Sequence, residues 1–554
     1  MLFVDNLYVS AFCPMKTFHR PLVVLLFFAA AFTAIRAAVN SPPAPAAIGL
    51  FDNHGDIGIT PAPGNAVFDA NQQAYVITGG GNNLWAKVDA GHFAWKKMSG
   101  NFTLSADIVF QDNPTATPDV HRKACLMIRQ SLDADSAYVD AALHGNGLAA
   151  LQFRNAKGEA TREVQSNIIG PVRMRLEKHG DQLTLYVGKA GEDLKFTGAA
   201  YSLKFSEPFY VGFAVGAHNQ NDTSTNLETA VFSHVELKTN LPASTPKLYY
   251  AIETQAANPV NATQSQNTDR TILYLSPNRL EGPLWLRDYS GVLFSSGGHL
   301  LRLPVKLPPS AAGRRGVPAP AGPPGPILGI APVATGEPVV INTGNLSHIS
   351  RVHGLSTDGA QIIFVDHPPG QPANTYLVPL AGGSPQLLTP NTGAGSSLSP
   401  DGKTLVYDTD TGADIYSIPV DGSAPATRLT ANLGKNYGPQ FFHHGGFILF
   451  CSDRSGSMQI WRMAPDGSDP VQLTTDDHNN WFPHLSFSDA YAMFVTYPPS
   501  VTGDQPDQAV EIRRLNLASQ AVDLMAPILG GPASAPSWSY NNLQLIFVSE
   551  QWVY

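Results

Sequence analysis

At 554 residues the chain is too long for one compact core, since a domain takes roughly 100–200 residues, so at least two domains are expected. Only 14% of residues are charged while glycine and proline number 49 and 45, a balance that favours many strands joined by tight turns over long helices. The net charge of −9, with no basic stripe, argues against nucleic acid, whose binding needs Lys and Arg to neutralise phosphate, and does not indicate a membrane surface.

At the start, Lys16, His19 and Arg20 precede the apolar run 21–34 (PLVVLLFFAAAFTA), and small residues follow around Ala37 and Ala38. This order of charge, apolar run and small residues predicts a secretory signal peptide over 1–38, with Met15 the better start. The run is shorter than the ~20 apolar residues of a spanning helix, so no membrane insertion is expected after cleavage. An exported chain belongs in the periplasm or outside the cell. Cys13 precedes the run, and the mature chain keeps Cys125 and Cys451, both in apolar strand-like contexts and expected as buried thiols.

Residues 48–238 alternate in strand fashion at 101–110, 124–132, 137–145, 148–155, 172–180, 181–189, 209–219 and 229–237, with Gly145-Asn146-Gly147 and His179-Gly180-Asp181 as hairpin turns. That many short strands predicts a jelly-roll β-sandwich. Trp85, Trp95, Tyr138 and His144 offer stacking faces and polar edges, and Arg129, Asp140, Gln152 and Arg154 offer hydrogen bonds on neighbouring strands. A sugar needs that mixture, because its C–H face packs on an aromatic plane while its hydroxyls need fixed polar partners. The competing reading makes the aromatics core and Arg129 with Asp140 a cross-strand ion pair.

Residues 239–269 are polar and read as a linker. Beyond it, LSTDGAQIIFVD (355–366), LSPDGKTLVYDT (398–409) and FHHGGFILFCSD (442–453) align without gaps, with Leu355, Leu398 and Phe442 43 and 44 residues apart. A constant period of this size predicts a β-propeller over 270–554, each repeat being one small sheet that cannot bury its apolar face alone. Six units can be counted, opening near 282, 355, 397, 438, 481 and 536. The sixth lacks its later strands, and TILYLSP (271–277) is placed to donate the missing edge and close the ring. Asp401 in SPDGK is a turn residue, its Asp-Gly pair supplying a two-residue hairpin with Pro400 presetting φ. A Pro- and Gly-rich insertion at 305–332 and a shorter one at 498–508 break the period.

His353 and His484 fall near the start of innermost strands in units two and five, with Tyr437 and Gln440 at a comparable level in unit four and Asp477, Asn480 and Trp481 just before His484. These seven are the candidate ligand-binding residues of a propeller channel. His443-His444 occupies a turn slot and reads as exposed filler. No HExxH, clustered cysteine or GxSxG is present, and no catalytic residue is assigned.

The strings LSPDGKTLVYDT, SDRSGSMQIWRMAPDGSDPVQLTTDDHNNWFPH and PSWSYNNLQLIFVS closely resemble the propeller repeats of TolB-family periplasmic proteins. The resemblance implies a six-bladed propeller outside the cytoplasm that docks a protein or ligand. The strings GHFAWKKMSGNFTLSADIVF, KACLMIRQSLDADSAYVDAALHG, LQFRN and VRMRLEKHGDQLTLYVG resemble concanavalin-like domains of the enolase-regulator type, which implies a laminin-G-like sandwich of a kind that often contacts glycans. The combined expectation is an exported binding or scaffold protein without enzymatic activity or required cofactor, its sandwich on a glycan or envelope polymer and its propeller on a protein partner. The alternative is a carbohydrate-active lyase or hydrolase with its site in the channel. Related propeller lyases acting on oligogalacturonate bind a divalent metal through channel histidines, and the same reading is open to His353 and His484.

Overall fold

The computed structural model describes residues 48–111, 118–170, 173–189, 192–219, 221–239, 241, 245–257, 270–306, 333–409, 414–431, 433–501, 510–528 and 536–553. The expected signal segment 1–38, residues 307–332 of the long insertion and 502–508 of the short one lie outside the described residues. The described residues form strands and no α-helix, in keeping with an all-β chain.

Two antiparallel sheets pack face to face in the N-terminal part. One runs, in spatial order, Asn53–Ile57, Gly91–Met98, Phe209–Gly216, Lys123–Arg129, Tyr138–His144, Leu148–Arg154 and Arg162–Ile169. The other runs Lys195–Ser202, Gln182–Gly188, Arg173–His179, Phe102–Gln111, Glu228–Thr239, Ala74–Gly79 and Asn65–Asp69. Strand alternation decides which side chains meet between them: Ala124, Leu126 and Ile128 enter the shared core, whereas Cys125 and Met127 pack on the opposite face. Phe213 and Phe232, one from each sheet, stack at 4.3 Å with ring planes 7° apart. Burying each such ring contributes about 1.5–3 kcal/mol.

The first sheet continues into the C-terminal part. Arg162–Ile169 pairs in parallel with Arg270–Ser276, aligning Arg270 with Val164 and Thr271 with Gln165. Thr271 Oγ1 donates to Gln165 Oε1 at 3.2 Å across this seam. The order then runs through Lys247–Ala256 and Gln544–Val553 to Ser537–Trp538, so one eleven-stranded sheet crosses both halves.

The last four of those strands are one blade of a six-bladed ring, as counted among the described residues. The other blades open on Leu280–Trp285, Ile349–Leu355, the second half of Gln386–Leu398, Asn436–Phe441 and Asn479–Leu485. Gln386–Leu398 serves two blades, as outermost strand of the second and innermost strand of the third. Innermost strands touch in cyclic order, and Leu280–Trp285 meets Ser537–Trp538 to close the circle.

Closure uses more of the chain than TILYLSP alone. Lys247–Ala256, in the segment expected to be a linker, pairs along its whole length with Gln544–Val553, from Lys247 opposite Val553 to Ala256 opposite Gln544. Its KLYYAIETQA sequence carries the alternating apolar side chains of a strand, with Ala251 and Ile252 fully buried. Arg270–Ser276 lies outside it.

The repeated turn also differs in detail from a two-residue hairpin. The Gly402 amide donates to the Ser399 carbonyl at 2.8 Å, only Gly402 takes a positive φ (71°), and Asp401 Oδ1 accepts from Ser399 Oγ at 2.6 Å and from the Lys403 amide at 3.1 Å. Asp401 is thereby held as a turn carboxylate, and these bonds keep it below the usual range for an aspartate. The fourth repeat has no such aspartate. There Asp489 of the next blade accepts from the His443 and His444 amides at 2.9 and 2.8 Å, restoring the missing carboxylate from a neighbour. His444 is exposed, but His443 is not surface filler: its ring is half-buried and stacked on Phe487.

Candidate functional site

The centre of the ring encloses a cavity of about 180 Å³. Bulges in the innermost strands shape its wall, with register shifts between Glu281 and Leu284, Val352 and Gly354, Tyr437 and Gln440, and Trp481 and His484. Three of these bulges carry a positive-φ residue before a proline: Gly282, Gly438 and Phe482, with φ of 59°, 59° and 52°. Glycine at 282 is required twice over, because a Cβ there would stand 2.6 Å from the Val352 carbonyl oxygen.

Of the seven residues singled out in the propeller, His353, Gln440 and His484 line this cavity together. His353 Nδ1 lies 2.6 Å from Ser396 Oγ, and Gln440 Oε1 accepts from the Leu485 amide at 2.7 Å. The His484 carbonyl accepts from Trp538 Nε1 at 3.1 Å. Each bond ties one blade to the next. Desolvation by the channel wall, reinforced by the Arg351 guanidinium, pulls the His484 imidazole down to about 4, so it is neutral at physiological pH.

The other four stand elsewhere. Tyr437 lines a second cavity of about 240 Å³ with Glu281, Arg351 and His367, which His353 also touches, and its ring lies 5.4 Å from that of Trp481. Trp481 packs against the cores of two blades. Asn480 is fully buried and bonded to Gln459, Asp476 and Thr496, a structural role. Asp477 is exposed and paired with His478 at 2.8 Å. Among the described residues no group of three His, Cys, Asp or Glu side chains could hold one metal ion.

Sequence reasoning missed the mouth of the cavity. The slot one residue after the repeat's serine position carries His443, Phe487, Tyr540 and Arg287 in four consecutive blades. His443 stacks on Phe487 at 4.6 Å, Phe487 on Tyr540 at 4.1 Å, and the Arg287 guanidinium sits 5.4 Å from the Tyr540 ring centre. Aligning the repeats and reading that single column would have found all four.

A family model described as the TolB beta propeller domain matches residues 337–553. An uncharacterized protein of Agrobacterium fabrum is 32% identical over 282 residues, covering 50% of this chain and 87% of that protein. The chain belongs to the TolB-like β-propeller family. The Tol-Pal system protein TolB of Helicobacter hepaticus is 29% identical over 141 residues, 22% of this chain and 33% of that protein, so the match spans about a third of that TolB. A solved TolB-type structure from Agrobacterium tumefaciens is 29% identical and covers 55% of this chain and 99% of its own, with a TM-score of 0.45. Among the described residues of this TolB-like chain, no helix is long and apolar enough to cross a membrane.

In the sandwich, the eight residues singled out divide by burial. Trp85 and Trp95 are half-buried; Trp95 stacks on Phe93 at 5.7 Å and meets Tyr210 edge-on at 6.3 Å. The other six are buried, with Arg129, Tyr138 and Arg154 gathered beneath the 80–90 segment. Asp89, from that segment, accepts from Arg129 Nη1 at 2.7 Å and from Arg154 Nη2 at 2.7 Å, with all three side chains fully buried. Tyr138 lies beneath both guanidiniums, 5.7 Å from that of Arg129 and 4.9 Å from that of Arg154.

Arg129 and Asp140 do not form the cross-strand ion pair: they are diagonal neighbours, Arg129 facing Tyr138 and Asp140 facing Met127, and Arg129 is taken by Asp89 instead. Both Asp140 oxygens are buried, and burial pushes the carboxyl up to about 8 against the opposing pull of Lys123 and the neighbouring Cys125 thiol. Gln152 donates to Glu163 at 2.8 Å, and burial holds the His144 imidazole well below its ordinary range. Lys123 is also buried here and donates to the Leu84 carbonyl at 2.9 Å. Among the described residues, Cys125 and Cys451 are buried and not joined in a disulfide.

Proposed function

We propose that this chain is an exported, non-enzymatic binding or scaffold protein of the periplasm or cell exterior. Its propeller docks a protein partner or ligand at the channel mouth, and its N-terminal sandwich, of the concanavalin-like jelly-roll type, holds a glycan or cell-wall polymer. One observation carries this reading: the polar groups of the channel bond from blade to blade, as Gln440 does to Leu485 and His353 to Ser396, instead of converging on a point where a substrate atom could react. The family's Tol-Pal relative and the continuous sheet that joins the two binding halves support it further. Of the candidate residues on the sandwich, Trp85 and Trp95 are the accessible ones, so they supply the stacking faces while the buried Asp89 network fixes the surface beneath.

The test is co-sedimentation of the mature protein with purified peptidoglycan sacculi and a panel of insoluble polysaccharides, with the supernatant analysed for released oligosaccharides. Retention that weakens in Trp85→Ala and Trp95→Ala, with no product released, is expected. Release of oligosaccharides would replace the binding role with that of a lyase or hydrolase.

A further inference from the structure

The wall of the 180 Å³ channel cavity holds two arginines and three histidines and, among the described residues, no aspartate or glutamate. His484 is neutral at physiological pH, so the charge of the wall rests on the two arginines. The two arginines are not equivalent. Arg351 is committed to Glu281, with Nη2 3.0 Å from Oε2, and its guanidinium lies 5.1 Å from the ring centre of Phe482. Arg287 is exposed, makes a long 3.4 Å bond to the Ser356 carbonyl, and has no carboxylate within ion-pair distance among the described residues. Its guanidinium lies over Tyr540 at the end of the continuous stack through Phe487 to His443.

Resting on the reading of this mouth as a docking surface, we propose that it receives a small ligand carrying a carboxylate on a flat or apolar body. Arg287 holds the carboxylate and the Tyr540–Phe487–His443 arc holds the body. A guanidinium fork matches the planar carboxylate with two parallel N–H···O bonds, and one guanidinium outside any ion pair suits a single negative charge. The stacked rings offer apolar faces, and the residues lining the wall include no acid among those described. The column that sets the specificity is the slot after the repeat's serine, where the second and third blades carry the small, uncharged Thr357 and Pro400.

The experiment is ligand-observed NMR titration of the mature full chain with benzoate and with benzamide, its neutral counterpart, on the wild type and on Arg287→Gln, Arg287→Lys and Phe487→Ala. Benzoate is expected to bind at least about tenfold more tightly than benzamide, the step that a charge-assisted hydrogen bond supplies. Arg287→Gln should erase the difference, Arg287→Lys should keep part of it, and Phe487→Ala should weaken both ligands. Benzamide bound as tightly as benzoate would overturn charge selection while leaving the mouth a docking surface. Failure of both to bind would overturn the inference together with small-ligand docking at the mouth.

Discussion

The sandwich and the propeller channel both gather ionisable side chains, and they use them in opposite ways. Under the 80–90 segment of the sandwich, one buried carboxylate, Asp89, takes two guanidiniums, and the cluster is sealed from water. At the channel mouth, Arg287 is exposed and makes no ion pair among the described residues, with Asp358 near it but beyond ion-pair distance. The residue types are alike, so type does not separate a structural arginine from one able to receive a ligand. What separates them is whether the fold has already supplied the partner.

The largest expected effect tests the closed side of that contrast. Asp89→Ala leaves two buried guanidiniums without their counter-charge and should cost about 3–5 kcal/mol, read from the midpoint of denaturant unfolding. A loss below about 1 kcal/mol would mean that the cluster is hydrated and open, and the contrast would fail.

A smaller effect is expected at Asp140. Its folded-state pKa of about 8 lies above the unfolded value of 3.8, so the native state favours the protonated form. Stability should therefore be highest below pH ~4, fall as pH rises from there to about 8, and level off beyond. Asp140→Asn removes the titration, should flatten that part of the pH profile, and should stabilise the protein at pH 8. An unchanged pH dependence would show that Asp140 is paired or solvated.

The smallest effect belongs to the open side. Arg287→Gln should leave the unfolding midpoint within about 0.5 kcal/mol of wild type, because no folded-state ion pair is lost. A larger drop would make Arg287 a structural residue and remove the distinction between the two regions.

Much of the propeller was legible because repeats announce themselves locally. The 43- and 44-residue spacing and the SPDGK turn encode a small sheet each time, and the turn role of Asp401 follows from the same residues that form its bonds. The channel positions of His353, Gln440 and His484 were legible for the same reason, since the repeat phase places them near the start of innermost strands. Lys247–Ala256 was not, because its partner, Gln544–Val553, lies at the other end of the repeat region and a polar stretch follows it. The parallel seam between Arg162–Ile169 and Arg270–Ser276 leaves no local signature either. In the sandwich, Arg129 and Arg154 were recognisable as important, but Asp89 sits in an irregular segment that no strand pattern marks.

The sequence by itself determined the strand-rich class, the repeat phase, the turn chemistry and the need for an added strand to complete the last blade, because each rests on residues close together in the chain. Only the tertiary structure decided that two early strands complete that blade, that Asp489 serves a turn in the neighbouring blade, and that Asp89 neutralises two arginines while Arg287 faces the channel mouth. Those outcomes depend on which distant groups the closed ring and the stacked sheets bring within hydrogen-bonding range. Spacing along one strand carries no record of that.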